Sequence, residues 1–155
     1  MTALLLLAFS CTTNSSGRSA TTYVGQLQPL LHENSLLAER VLFQAADIYN
    51  NAARPDDVAN KWETDITPIA EHLHFQAKLV DAPEEWSDQH SGLVEIWGDR
   101  ARAYRDISEG LRLADRERWD RGRSSAEKVK LEEEAWFGEI NEKLGSMNVN
   151  LEPYP

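Results

Sequence analysis

A chain of 155 residues with a net charge of −10 can bury one proper core, and it is too acidic to be a general ligand of nucleic acid or of anionic membranes. Five Trp residues and regularly spaced Leu, Ile and Val exclude a disordered chain. A single cysteine, Cys11, excludes an intrachain disulfide.

The chain opens on Met1-Thr2 and the apolar run Ala3-Leu4-Leu5-Leu6-Leu7-Ala8-Phe9, then Ser10 and Cys11, then a polar stretch from Thr12 to Ala20. The apolar run is far short of the roughly 20 residues that span a bilayer. It reads as the h-region of a signal peptide. The segment Leu7-Ala8-Phe9-Ser10-Cys11 resembles the lipobox of bacterial lipoproteins. Ser10 stands at the small position the peptidase needs, and Cys11 offers the thiol for a thioether-linked lipid. The family prefers Leu where Ala8 stands, and no Lys or Arg precedes the run, as a start upstream of Met1 would explain.

The resemblance implies loss of a 1–10 signal peptide, acylation of Cys11, export, and a membrane anchor with more than one acyl chain, as durable attachment requires. Thr12 in place of Asp implies the periplasmic face of the outer membrane in a two-membrane bacterium, and otherwise the cell surface. Read from the residues alone, a signal peptide cleaved without lipid and a cytosolic chain with a greasy start stay open beside it. Residues 11–21 are then the lipidated cysteine and a flexible tether, 22–145 the folded domain, and 146–155 an irregular tail.

Four helical stripes follow in chain order. From about Thr22 to Asn51 the apolar positions are Val24, Leu27, Leu31, Ala38, Val41, Ala45 and Ile48, three and four apart with one gap. The second stripe, over about 55–80, is Val58, Trp62, Ile66, Ile69, Leu73, Ala77 and Val80. Pro55 suits its first turn, and Asp56 and Asp57 its positive end. Pro68 predicts a kink inside it. Asp81-Ala82-Pro83 opens the third helix, which carries Trp86, His90, Leu93, Trp97, Ala101, Tyr104, Ile107 and Leu111 to about Leu113. The fourth runs from near Asp115 to Gly145, a suitable C-cap, with Trp119, Gly122, Ala126, Val129, Trp136 and Ile140 in register. Connections of a few residues force neighbours antiparallel, and one apolar stripe each leaves the helices only one another to pack on. The fold class is all-α, an up-down-up-down four-helix bundle.

Polar residues interrupt these stripes. Asn34 falls between Leu31 and Ala38, His72 lies beside Leu73, and Glu133 stands midway between Val129 and Trp136. Counted in residues from the anchored end, Asn34, His72, Trp97 and Glu133 come within about one turn of the same height. They are expected to form a buried polar layer, with the Trp97 indole as a donor. Its role stays open between fixing helix register, a loosely packed edge where Glu133 meets water, and a ligand site.

Residues 99–130 carry a net charge of +3 against −13 for the rest. Local pairs (Asp99 with Arg102, Arg105 with Glu109, Glu117 with Arg121, Asp120 with Arg123) suit a solvated helix face. The alternative is a patch at the end away from the anchor, Arg112, Arg116 and Arg118, for an acidic partner.

No metal or cofactor is expected. Di-iron bundles resemble a pair of Glu-x-x-His motifs, and this chain has only Glu71 to His74 at that spacing. His72 and His74 point about 200° apart on a helix, His32 and His74 read as surface residues, and His90 as a satisfied core histidine. No nucleophile elbow, phosphate loop or dinucleotide fingerprint is present. The expected function is non-enzymatic: an envelope lipoprotein joined to the membrane through acylated Cys11, acting as an accessory bundle for a protein or acidic polymer. The alternative is a small-molecule or metal-binding bundle built on the polar layer.

Overall fold

The computed structural model describes residues 15–50 and 54–152. Cys11 and the apolar run before it lie outside the described residues. Among the described residues five α-helices build four antiparallel rods: α1 (Ser15–Tyr49), α2 (Pro55–Lys61) continued by α3 (Thr67–Ala77), α4 (Ser87–Arg112) and α5 (Arg116–Gly145). The chain is an all-α helical bundle. Among the described residues no helix is long and apolar enough to cross a membrane.

Helix α1 begins at Ser15, so the helix takes in most of the stretch expected to be a tether. The stripe explains it: Ala20 and Tyr23 extend the Leu27 and Leu31 series toward the N-terminus, and all four are buried. Burial of that face outweighs the poor helix propensity of Ser and Gly.

At Pro68, where a kink inside α-helix was expected, the second rod instead changes helix type. Trp62–Ile66 forms a π-helical turn, and Pro68 falls in the first turn of α3. The stripe of this rod repeats every four residues at Val58, Trp62, Ile66 and Ala70, all buried. A 3.6-residue helix would carry that repeat about 40° round at each step. A π turn absorbs the surplus residue and keeps the stripe facing inward, just where proline cannot supply its N–H.

Helices α4 and α5 are in backbone contact. A Cβ on Gly122 would lie 2.8 Å from the Ala103 carbonyl oxygen and 2.8 Å from the Ile107 nitrogen, and one on Gly110 would lie 2.6 Å from the Trp119 nitrogen. Both helices end on left-handed residues that are not glycine. After α4, Ala114 (φ 51°) lets Asp115 N–H bond the Gly110 carbonyl. After α5, Asn148 (φ 56°) lets Val149 N–H reach Leu144. Both are Schellman arrangements. The expected cap at Gly145 is therefore replaced by Asn148 three residues later. Asp115 also caps α5, its side chain accepting from Arg118 N–H at 3.0 Å.

Residues 146–152 are irregular, but they are held. Leu151 is buried, and its N–H and carbonyl both bond the Asn141 side chain, at 2.8 and 3.1 Å. Glu152 makes the same reciprocal pair with Gln28 of α1, at 3.3 and 3.0 Å. The tail thus bridges α5 to α1 at the end of the bundle that carries Ser15. At that end the Tyr23 hydroxyl donates to His90 Nδ1 (3.1 Å), and His90 Nε2–H donates to the Ala77 carbonyl (2.9 Å). Burial holds the His90 imidazole below its ordinary pKa, against the raising effect of the Ala77 bond. His90 is a satisfied core histidine.

A candidate binding cleft between α1 and α5

Helix α1 leans on α2 and α3, and it meets α5 through side chains rather than backbone. The tail closes the α1–α5 seam at one end. At the other, the seam opens into a cleft of about 380 Å³. That volume lies within the usual range of small-molecule sites, about 300–1,000 Å³.

The α1 wall consists of Leu37, Ala38, Val41, Leu42, Ala45 and Ile48. These continue the stripe whose Ala20, Tyr23, Leu27 and Leu31 are buried. Past Leu37 the same face is only part-buried or exposed, and Leu42 is 70% exposed. Trp62, Tyr104 and Ile107 form the back of the cleft, and Trp119, Arg123, Ala126 and Lys130 the α5 wall. The Trp62 and Tyr104 rings meet edge to face, 5.4 Å apart. The Arg123 guanidinium lies 5.2 Å over the Trp119 ring.

The floor is polar. Glu133 Oε1 accepts from Trp97 Nε1 (2.7 Å) and Asn34 Nδ2 (3.1 Å), and Oε2 accepts from the Arg100 guanidinium (2.6 Å). Arg100 also donates to Asn34 Oδ1. Asn34 and Arg100 are each only 8% exposed. Burial alone would lower the Arg100 pKa, but the Glu133 charge and hydrogen bond outweigh it, so the guanidinium is held above its ordinary value.

Three of the four residues expected in the polar layer therefore meet: Asn34, Trp97 and Glu133. His72 does not. It is exposed on α3, about 100° round the helix from buried Leu73. Its place is taken by Arg100, a member of the basic 99–130 stretch for which a solvated face is expected. The signal for Arg100 was present. Leu93, Trp97, Arg100, Tyr104 and Ile107 alternate four and three apart, so Arg100 stands on the core seam, where a buried Glu133 needs a cation.

The Arg112, Arg116 and Arg118 patch is occupied from within. Arg112 pairs with Glu63 of the π turn at 3.1 Å, and Arg116 with Asp120 at 3.6 Å. Arg118 pairs with Asp106 at 2.8 Å and with Glu109. Other expected local pairs also give way to cross-helix ones, Arg105 to Glu71 and Arg121 to Asp106, while Asp99 with Arg102 forms. Antiparallel neighbours bring carboxylates as close as the next turn does. Among the described residues no group of three or more His, Cys, Asp or Glu is placed to hold a metal.

Comparison with protein-family models, with curated proteins and with solved structures finds no match.

Proposed function

We propose that this chain is a non-enzymatic binding protein of the cell envelope, anchored through acylated Cys11, whose bundle takes a small, mainly apolar molecule into the α1–α5 cleft. One observation carries the binding reading. An α1 stripe that is core along its first half lines a 380 Å³ space along its second, above a floor of satisfied polar groups. Loosely packed edges do not ordinarily end on a buried Arg–Glu–Asn cluster, because such a cluster is costly unless every member is held. A mostly apolar concavity with a few fixed polar groups is what small-molecule recognition uses. The anchoring reading rests on the likeness of Leu7 to Cys11 to a lipobox.

The accessory role for an acidic protein or polymer has less support, since Arg112, Arg116 and Arg118 each engage a carboxylate of the chain itself. Two measurements test the proposal. The full chain carrying Cys11→Ser, which blocks acylation and permits purification without detergent, should bind the neutral fluorophore N-phenyl-1-naphthylamine at one site per chain. Val41→Asp should abolish that binding with helicity retained. In cells, the native chain should incorporate radiolabelled palmitate and Cys11→Ser should not. A fluorophore that does not bind, or binds equally to Val41→Asp, refutes the cleft reading. Absence of label refutes the anchor.

A further inference from the structure

We infer that the occupant of this cleft is a single unbranched hydrocarbon chain, laid lengthwise along α1 and recognised by its shape rather than by the charge of its head. The inference rests on the cleft being a binding site, as proposed above. The polar floor fixes the register of the two walls, because Asn34 of α1 bonds Glu133 of α5 at 3.1 Å. The helices are antiparallel. Seven residues along α1 and seven back along α5 therefore bring Val41 level with Ala126, and seven more bring Ile48 level with Trp119. All six residues line the cleft. From Asn34 to Ile48 is fourteen residues of helix, about 21 Å. A compact molecule filling 380 Å³ would be only about 9 Å across and would meet one or two of these layers. A linear chain meets all three.

Side-chain size explains the long space. Leu31, Ala38 and Ala45 form one heptad series of α1, and a buried leucine gives way to two alanines where the cleft begins. Ala126 faces them from α5. Every α1 residue lining the cleft from Leu37 to Ile48 is apolar, so the surface offered to a chain is continuous. The charges of the lining are already matched. Arg100 pairs with Glu133 at 2.6 Å and Lys130 with Glu134 at 3.7 Å, and Arg123 is engaged, its guanidinium lying over the Trp119 ring. Such a lining favours neither a carboxylate nor an ammonium, and an ion carried into it would lose its hydration without gaining a partner. The part of the ligand inside the cleft is uncharged, and its polar end stays in water.

The test uses the full chain with Cys11→Ser and displacement of bound N-phenyl-1-naphthylamine, a flat probe, by competitors held below their aggregation concentrations. From octan-1-ol to dodecan-1-ol, affinity should rise about fourfold per methylene. Cyclododecanol, with the same carbons closed into a ring, should need a concentration at least tenfold higher than dodecan-1-ol. Decanoate, decylamine and decan-1-ol should agree within about tenfold. Ala45→Leu with Ala126→Leu should weaken dodecan-1-ol at least tenfold with the thermal midpoint held or raised, since the added side chains fill open space rather than crowd a packed core. Fluorophore binding with cyclododecanol equal to dodecan-1-ol overturns the chain assignment and leaves the cleft reading standing. So does a decanoate or decylamine affinity more than tenfold above that of decan-1-ol. If neither fluorophore nor any alcohol binds, both readings fall. If fluorophore affinity drops as the chain dimerises in sedimentation velocity, a second copy covers the cleft and the inference is overturned.

Discussion

Replacing Glu133 by Gln tests the floor of the cleft with almost no change in shape. Three donors converge on the two carboxylate oxygens: Trp97 and Asn34 on one, Arg100 on the other. Glutamine offers one oxygen and one NH₂. In its better orientation it keeps the Trp97 and Asn34 bonds and turns its NH₂ toward the guanidinium. A charge-assisted hydrogen bond worth about 1.5–3 kcal/mol is lost, and a buried cation is left without a counter-charge. Removing one member of a buried pair costs about 3–5 kcal/mol. The Arg100 and Glu133 side chains keep 10% and 14% exposure on the cleft, so the loss should sit near the lower end, about 3 kcal/mol. At a urea slope of about 2 kcal/mol/M that moves the midpoint down by about 1.5 M. Adding Arg100→Met removes the stranded charge and should restore most of the loss, since Gln still serves Trp97 and Asn34. Urea melts followed by far-ultraviolet circular dichroism on the two single variants and the double give the coupling directly. A loss below about 1 kcal/mol for Glu133→Gln would place the pair among solvent-screened surface bridges. A double variant no better than the sum of the singles would equally refute a coupled buried cluster.

Other expectations follow from backbone contact, caps and titration. Gly122→Ala forces α4 and α5 apart at a contact with backbone atoms, and should destabilise by about 1–3 kcal/mol despite its better helix propensity. Gly138→Ala, with nothing within 4 Å of the added methyl, should stabilise by about 0.5–1 kcal/mol. Thermal melts of the pair decide whether close approach or propensity governs. Ala114→Gly relieves a left-handed alanine (φ 51°) and should gain a few tenths to about 1 kcal/mol, read from the urea midpoint. Burial holds His90 and His74 below their ordinary pKa. Below about pH 6.5 the unfolded chain therefore takes up protons that the folded chain refuses, so stability falls as pH falls through that window, by up to about 1.4 kcal/mol per pH unit for each histidine. His90→Gln should remove its share of that slope. An unchanged slope in urea melts between pH 7 and pH 5 would show that the imidazole is as easily protonated in the fold as out of it.

Periodicity alone determined much of this protein. Apolar residues three and four apart, over stretches too long for strands and joined by short connections, leave one way to hide the stripes, and the bundle follows. Residue count along a rigid helix is a distance, and it puts Asn34, Trp97 and Glu133 at one height. The exceptions to this pattern have a common cause. His72 neighbours a core residue in sequence, but one residue is 100° of rotation. Arg100 sits in a basic stretch whose average hides one seam position. The π turn before Pro68 shows in the sequence as a repeat of four at Val58, Trp62, Ile66 and Ala70, but a step of four is ordinary in an α-helical stripe too. In each case the reading depends on the rotational phase of one helix against its neighbours, which no single stripe contains.

Only the tertiary structure decided how completely each stripe is buried. Leu27 and Val41 look alike in sequence, and one is core while the other lines a cleft. The difference lies in what faces them. The tail, through Glu152 and Gln28, draws α5 toward α1 at one end. Gly110 and Gly122 seat α5 tightly on α4 at the other, where α1 keeps its contacts to α2 and the π turn and faces α5 across the cleft. Whether four stripes close into a solid core or leave a space depends on the distances among rods, and those are set by small residues and tail contacts far apart in the chain.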